Sequence, residues 1–470
     1  MTAGASSERE FDVIVVGAGP AGEVAAGRLA GPGGKRVAVV EGHLIGGECS
    51  FYACMPSKAL LRPTEALHET RRIPGAAEAV TGRLDVPAVL SRRDEVIRHL
   101  DDSAQLPWLE ERGIELFRGW GRLDGDRRVC VDDETLIARD AVVLSVGTAA
   151  AFPPIPGLRE VGAWSNRELT TSEEVPNRLL VLGGGIVGAE MAQAWAWLGA
   201  SVTVVEALDR LISNEDPFAS ELVAAGLREA GVELALGVGA AAASRDGDEV
   251  SLELEDGRKF AADRLLVATG RKPLTEKLGL ESVGLEGGGY VDVDDQMRVG
   301  GRPWLYAIGD VNGRSLLTHS GKYQARIAAD CILGRPASAW ADVRGAPRVV
   351  FTEPQVAGVG LTLTAAREQG IEAVAIDLDT SASAGGSFYG RGSDGTSRFV
   401  VDTQREILVG VTIVGAEIQD FLQAATIAVV GEVPLRRLAH AIAPFPTRSE
   451  LWLKFIEAYE KQREISLHVA

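Results

Sequence analysis

Cys49 and Cys54 stand in the run Gly46-Gly47-Glu48-Cys49-Ser50-Phe51-Tyr52-Ala53-Cys54-Met55-Pro56-Ser57-Lys58. Two sulfurs at that spacing cannot share one face of a helix, but a turn between them can bring their Cα atoms within the roughly 4.4 to 6.8 Å that a disulfide spans. Pro56 suits the first position of a helix continued by Ser57-Lys58-Ala59-Leu60-Leu61-Arg62, so that Cys54 lies near the positive end of that helix, where a thiolate is favoured. The chemistry this permits is storage of two electrons on sulfur. A buried cysteine with a chance neighbour, or a metal site, are the other readings. Cys130 and Cys331 lie far along the chain and form no second pair.

The elements that must position these sulfurs begin upstream. Phe11-Asp12-Val13-Ile14-Val15-Val16 reads as a buried strand running into Gly17-Ala18-Gly19-Pro20-Ala21-Gly22 at the start of an alanine-rich helix. Gly17 permits the tight turn, Gly19 lets backbone approach a pyrophosphate, and Gly22 allows close packing of helix on strand. The next strand, Arg36-Val37-Ala38-Val39-Val40, ends at Glu41, whose carboxylate can accept a bond from a ribose hydroxyl. The unit recurs. Arg178-Leu179-Leu180-Val181-Leu182 precedes Gly183-Gly184-Gly185-Ile186-Val187-Gly188-Ala189-Glu190, and Ser201-Val202-Thr203-Val204-Val205 ends at Glu206. One such loop is weak evidence for a dinucleotide, and two with an acid at the proper distance are strong. Glu206 repels a ribose phosphate and pairs with free hydroxyls, which favours NAD(H) over NADP(H), although the nearby Arg210 blunts that preference.

Further strands close at Ser145-Val146-Gly147-Thr148, Ala268-Thr269-Gly270-Arg271 and Tyr306-Ala307-Ile308-Gly309-Asp310, read as crossover and cofactor-lining turns. Asp310 can hold a ligand hydroxyl, and it can also be an ordinary helix cap.

At 470 residues with 46% hydrophobic content, the chain makes several cores and more than one domain. The 48 basic and 66 acidic residues leave a net charge of -18, which opposes nucleic acid and anionic membrane surfaces as partners. No apolar run reaches the length of a membrane span, and the polar start Met1-Thr2-Ala3-Gly4-Ala5-Ser6-Ser7-Glu8-Arg9-Glu10 lacks the pattern of a secretion signal. Four cysteines in so long a chain fit a reducing cytoplasm.

On these residues the chain resembles the flavoprotein disulfide oxidoreductases, the family of dihydrolipoamide dehydrogenase, glutathione reductase and mercuric reductase, over nearly its whole length. The resemblance implies an α/β fold with two Rossmann-like domains, for FAD and NAD, and a C-terminal α+β dimerisation domain. Residues 1–150 and 273–345 are expected to form the FAD domain, 151–272 the NAD domain and 346–470 the interface. It implies a homodimer with FAD and NAD(H) as cofactors, in which NADH reduces the flavin and Cys54, the sulfur nearer the ring, receives the electron pair. Cys49 becomes the interchange thiol that meets a small acceptor or disulfide substrate, and Lys58 lies by the flavin paired with Glu190. Gly17, Gly19, Pro20, Ala21, Gly22, Glu41, Gly47, Gly147, Gly309 and Asp310 fall on the flavin side. Gly183, Gly185, Gly188 and Glu206 fall on the nicotinamide side, and Gly270 lines a cofactor. Ile186 stands where some relatives carry an aromatic gate, so no gate is expected.

The family supplies the proton for thiol exchange from a histidine of the partner subunit in a His-Pro-Thr segment ending in Ser-Glu. Here that stretch is Pro444-Phe445-Pro446-Thr447-Arg448-Ser449-Glu450, with Phe445 in the histidine's place. Phenylalanine carries no proton, and its ring is expected to dry the sulfur pocket and raise the thiol pKa. Glu450 remains without the imidazole it would orient. His440 and His319 are the candidates to substitute, whereas His43, His68, His99 and His468 fall in ordinary loops, helices or the tail. A phenylalanine in this slot is also similar to 2-ketopropyl-coenzyme M oxidoreductase/carboxylase, a carbon-sulfur-cleaving relative that has a histidine where this chain has Glu450 and lacks the lysine matched by Lys58.

The leading expectation is an NADH-dependent FAD enzyme that delivers electrons through Cys49 and Cys54. The alternatives are a diaphorase-like quinone reductase acting directly from FAD, a carbon-sulfur-cleaving enzyme, and a non-catalytic flavin-bound subunit. Dihydrolipoamide oxidation wants the base that Phe445 replaces, and mercuric reduction wants a C-terminal cysteine pair, which nothing after Cys331 provides. Glutathione or mycothione reduction wants NADPH. The glycine-rich stretch at 381–390 reads as a loop whose Tyr389 can approach a substrate cleft. Leu451-Trp452-Leu453-Lys454-Phe455-Ile456-Glu457-Ala458-Tyr459 has helical spacing and reads as interface packing.

Overall fold

The Phe11–Val16 stretch of strand Ser7–Val16 buries both of its faces, as an apolar run broken only by Asp12 requires, while Glu8 and Glu10 are exposed. Phe11, Ile14 and Val16 enter one core with Leu136, Leu144 and Leu305, while Val13 and Val15 enter a second with Ala25, Leu29 and Ala328. The computed structural model describes residues 7–463, so His468 and the extreme N-terminal stretch 1–6 lie outside the described residues. The chain divides into two compact units.

The first unit comprises Met1–Pro56, Arg92–Ala151 and Gly270–Val343. Its sheet runs in the order Glu115–Arg118, Val37–Glu41, Ser7–Val16, Glu134–Leu144, Arg128–Val131, Arg122–Leu123, with Leu305–Ala307 also paired to Glu134–Leu144. Ser7–Val16 is parallel to both neighbours, Val16 standing opposite Val40 on one side and Leu144 on the other. Parallel strands need crossovers, and helices Pro20–Ala30 and Thr318–Ile332 cover one face through small residues: Ala21, Ala25 and Ala26 of the first, Ala325, Ala328 and Ala329 of the second. Methyl-sized contacts let these helices approach closely, and Gly321 faces the Ala21 methyl, where a Cβ would lie 3.2 Å away.

The second unit comprises Ser57–Ser91, Phe152–Thr269 and Arg344–Ala470. Its parallel sheet has the order Glu233–Leu236, Ser201–Glu206, Arg178–Leu182, Arg264–Val267, with helix Ile186–Trp197 following the second glycine loop. Ala240–Asp246, Glu249–Leu254 and Lys259–Ala262 form a separate antiparallel sheet. Toward the C-terminus an antiparallel sheet of order Arg348–Val350, Gln355–Gly360, Ile407–Gly415, Thr396–Asp402, Ala373–Asp379 packs against helices Leu422–Val430 and Glu450–Arg463. The late helix departs from the interface expectation. Leu451, Trp452, Phe455, Ile456 and Tyr459 fill the core of their own domain, Phe455 stacked 4.4 Å from Phe399, and Leu453 alone of its large apolar residues stays half exposed. Helical spacing fixes which residues share a face, and here that face met the chain's own sheet.

Among the described residues no helix is long and apolar enough to cross a membrane, and no group of His, Cys, Asp or Glu is arranged to hold a metal ion.

Candidate functional site

Each glycine of the first loop meets a separate steric demand. Gly17 sits at φ +100°, and a Cβ there would come 2.3 Å from the Ser145 carbonyl oxygen. A Cβ on Gly22 would fall 2.0 Å from the Gly17 carbonyl oxygen, so helix and turn touch directly. Gly19 faces open space, with nothing within 4 Å of where its Cβ would be, and it begins helix Pro20–Ala30 with Pro20 at the first position. Backbone N–H groups at a helix start beside open space suit a diphosphate. Glu41 accepts the Ala18 N–H at 2.7 Å through one oxygen and the His43 N–H at 2.7 Å through the other, which pins the loop and leaves lone pairs for a ribose hydroxyl.

The cysteine segment is built directly against that loop. Gly46 N–H donates to the Ala18 carbonyl at 2.8 Å, and a Cβ on Gly47 would meet the Gly19 Cα at 2.9 Å. Gly47–Phe51 is a short helix that carries Cys49. Cys54 opens helix Cys54–Arg72, two residues earlier than Pro56 implied, and Pro56 falls in the first turn, where its missing N–H costs no hydrogen bond. Both cysteines are free thiols and partly buried. One hydroxyl serves both: Thr318 Oγ1 donates to Cys49 Sγ at 3.0 Å and lies 3.5 Å from Cys54 Sγ. The neighbouring Cys54 sulfur, followed by burial, pushes the Cys49 thiol well above the usual range, while the Thr318 hydroxyl and the Lys322 charge pull it down.

Thr318 was not among the expected site residues. It begins helix Thr318–Ile332, whose second residue, His319, is exposed. The pairing of a small hydroxyl residue with the start of a helix after the Gly309-Asp310 turn is the one local signal for it.

The turns at Gly147 and Gly309, at φ +71° and +73°, bring Thr148 and Asp310 together, and Thr148 Oγ1 donates to Asp310 at 2.9 Å. Arg271, beside Gly270 at φ +135°, donates to Thr148 Oγ1 at 2.6 Å and lies 3.6 Å from Glu48. Burial raises the Asp310 pKa against the pull of Thr148 and Arg271. Asp310 is not a cap: it lies inside the 3-10 turn Gly309–Asn312, and its carboxylate is engaged by Thr148. The Gly309 N–H is held by buried Gln324 at 2.8 Å. A glycine cradle open at Gly19, an acid at the ribose position and a thiol pair packed on the same loop fit FAD.

The second loop repeats the first. Gly183 stands at φ +109°, Gly185 faces open space, and a Cβ on Gly188 would lie 1.9 Å from the Gly183 carbonyl oxygen. Glu206 accepts Gly184 N–H at 2.6 Å and Leu208 N–H at 2.8 Å. These residues fit a second dinucleotide. Arg210 does not blunt the Glu206 argument as expected, because its guanidinium is spent on the Glu215 and Ser213 carbonyls and the Ser220 hydroxyl. Ile186 and Val187 are partly exposed beside the loop, with no aromatic ring at position 186. Lys58 and Glu190 do meet: Lys58 Nζ donates to the buried Glu190 carboxylate at 2.7 Å, whose other oxygen accepts Phe351 N–H at 3.0 Å. Lys58 lies on the helix that Cys54 opens, one turn further on.

Phe445 is 76% exposed in the single chain, and its ring is unburied apolar surface. Glu450 begins helix Glu450–Arg463, and its carboxylate accepts Gly385 N–H at 2.7 Å, a backbone partner in place of an imidazole. Of the other histidines, His440 and His99 are exposed, His43 bonds the Tyr52 hydroxyl at 3.0 Å, and His68 stacks on Trp197 at 4.4 Å.

Residues 11–328 match the family described as pyridine nucleotide-disulphide oxidoreductase, and residues 346–455 match its dimerisation domain. The chain is 34% identical over 462 residues to a dihydrolipoyl dehydrogenase of Thermus scotoductus, covering 97% of this chain and 98% of that one. It is 32% identical over 450 residues to a mercuric reductase of Staphylococcus aureus, covering 94% and 81%. Among solved structures it is similar to the Cu(II) complex of the HOCl-induced flavoprotein disulfide reductase RclA of Escherichia coli. That match has a TM-score of 0.84 and 25% identity and covers 96% and 99% of the two chains. LpdA of Mycobacterium tuberculosis matches with a TM-score of 0.83 and 26% identity over 97% and 100%.

Proposed function

The chain belongs to the pyridine nucleotide-disulphide oxidoreductases, FAD- and NAD(P)H-dependent enzymes acting on sulfur groups, and on that premise we propose that it passes electrons from NADH through FAD to the Cys49–Cys54 pair and on to a small acceptor. The observation that carries this reading is the single Thr318 hydroxyl bonded to both sulfurs beside the loop of Gly19. FAD, when bound, supplies the two-electron relay between nicotinamide and sulfur. The open cradle at Gly19, on the turn and packing set by Gly17 and Gly22, would hold its diphosphate, and Glu41 would hold its ribose.

In the oxidised enzyme the sulfur–sulfur bond breaks as the pair gains two electrons, leaving two thiolates, of which one takes up a proton. Cys49, with its raised pKa, takes the first proton, and the position of Cys54 at a helix N-terminus suits it to stay a thiolate. Once that proton leaves, Cys49 attacks an acceptor disulfide, forming a mixed disulfide and releasing one acceptor thiolate. Cys54 then attacks Cys49 Sγ, re-forming the Cys49–Cys54 bond and releasing the second acceptor thiolate, and the Thr318 hydroxyl stabilises the attacking Cys49 thiolate. Lys58, neutralised by Glu190, holds a hydrogen-bonding cation in fixed orientation without a net charge. Glu206, with Arg210 engaged elsewhere, favours NADH over NADPH. The dimerisation segment supports a homodimer, in which Phe445 presents a proton-inert ring where relatives carry histidine. Such a pocket is ill suited to oxidising a dithiol. A reducing compartment such as the cytoplasm suits a thiol pair of this kind.

The raised Cys49 pKa and the absent proton carrier also favour a second reading, direct reduction of quinones from FAD. Anaerobic titration with NADH separates the two. Uptake of two hydride equivalents with a thiolate-to-flavin absorption band after the first is expected. One equivalent, giving plain reduced flavin and unchanged by Cys49→Ser, would sink the disulfide route.

A further inference from the structure

The two glycine loops share their turn and their acid, but they differ just beyond the acid. In the first unit Glu41 is followed by Gly42, and a Cβ on Gly42 would fall 2.6 Å from Cδ2 and 2.9 Å from Cε2 and Cε3 of Trp120. So even an approach to three atoms of the fused ring means that the indole lies with one face on the bare Gly42 backbone. Trp120 is nevertheless 73% exposed, the only exposed tryptophan among the described residues, so its ring is not there to fill a core.

Glycines on either side hold Trp120 in that place. Gly119 stands at φ +146°, and its N–H donates to the Glu41 carbonyl at 3.0 Å. A Cβ on Gly121 would come 2.9 Å from the side chains of Val16 and Val40, so the chain passes directly over the carboxyl ends of strands Ser7–Val16 and Val37–Glu41. Ligands of parallel sheets bind at those ends. With a diphosphate at Gly19 and a ribose at Glu41, the base, one glycosidic bond further on, falls among the neighbours of Glu41 on the side away from Gly19.

The second loop has nothing comparable. There Val238 N–H donates to the Glu206 carbonyl at 3.3 Å, Val238 is buried, and Gly239 after it carries no side chain. Ala207 stands where the first loop has Gly42, so its methyl occupies the place in which a ring would have to lie. The exposed residue beside Glu206 is Leu208, which is aliphatic.

We propose that Trp120 is a stacking surface for the adenine of FAD, a contact specific to the first loop. The inference rests on the assignment of FAD to that loop. An aromatic face already fixed on backbone gains a stacked base at little cost in side-chain entropy. The asymmetry suits the two ligands: FAD has to stay through every turnover, whereas the nicotinamide coenzyme has to leave.

The test is FAD binding by the full-length protein, read as release of flavin fluorescence on dilution of the loaded enzyme, beside the melting temperature of the FAD-free protein. Trp120→Ala is expected to weaken FAD binding about tenfold or more, the worth of one base stacked on an aromatic ring. Trp120→Phe should recover most of that loss, and the melting temperature without FAD should stay at the wild-type value in both variants. The proposal is overturned if Trp120→Ala holds FAD as tightly as the wild type, or if the alanine and phenylalanine variants lose it alike. It is overturned equally if Trp120→Ala melts lower without FAD, which would make the ring a structural element of the turn. None of these results touches the electron route, because each variant, once loaded, can still be titrated with NADH. A wild-type chain that takes up no FAD would sink both.

Discussion

The Thr318 hydroxyl meets both sulfurs. The Cys54 sulfur and then burial push the Cys49 thiol up, and the Thr318 bond works the other way by favouring the thiolate. Thr318→Val keeps the shape and deletes that bond. The Cys49 pKa must then rise further, so at fixed neutral pH the thiolate fraction falls. The loss is worth one net hydrogen bond, about 0.5 to 1.5 kcal/mol, or roughly twofold to thirteenfold in the rate of iodoacetamide alkylation of reduced Cys49. The alkylation profile should shift to higher pH. A profile that stays in place would show that the hydroxyl does not touch the reactive sulfur. Phe445 adds no proton carrier, because its ring has no proton to give and Glu450 has turned its carboxylate to Gly385 N–H.

The strand–loop–helix units were legible because each glycine answers a backbone demand that no other residue meets. Gly22 and Gly188 are sealed against the carbonyls of Gly17 and Gly183, whereas Gly19 and Gly185 face open space. The two kinds of glycine should therefore separate on substitution. Gly19→Ala is expected to leave the melting temperature of the apoprotein unchanged while weakening FAD binding about tenfold or more, since its methyl projects where a diphosphate must approach. Gly22→Ala forces its Cβ onto a backbone oxygen and is expected to lower the apoprotein melting temperature outright. Equal losses of stability in the two variants would mean that the open cradle is not a ligand surface. What the sequence did not disclose has a common cause. Thr318 reaches its sulfurs across 269 and 264 positions, and such a contact leaves no periodicity to read. The helix Glu450–Arg463 was legible as a helix, but its apolar face could serve a partner or its own sheet, and only packing decides. Arg210 looked like a phosphate ligand by proximity in sequence until its donors proved to be spent on neighbouring carbonyls.

Across the whole molecule, a chain of net charge -18 must bind two anionic dinucleotides, so recognition has to come from local fields rather than from the overall charge. Both loops use the same device: an acid at the end of the second strand, Glu41 or Glu206, whose two oxygens pin the loop and the residue after the turn. The acid is thus a structural latch, and the role proposed for it at the ribose can be separated from that latch at Glu206. Glu206→Gln removes the charge that repels a ribose phosphate and retains one acceptor oxygen, so one of the two backbone bonds is weakened. Utilisation of NADH should fall from the looser loop, and that of NADPH should rise from the lost repulsion. The ratio of kcat/KM for the two coenzymes is expected to move toward NADPH by about one to two powers of ten, the worth of roughly 1.4 to 2.8 kcal/mol between like charges at a partly solvated site. With Arg210 already committed, no basic side chain is freed to complete a phosphate clamp, so the variant should approach parity rather than reverse its preference strongly. Steady-state kinetics with both coenzymes on the FAD-loaded protein checks this, and an unchanged ratio would remove Glu206 from coenzyme selection and leave it as a latch alone.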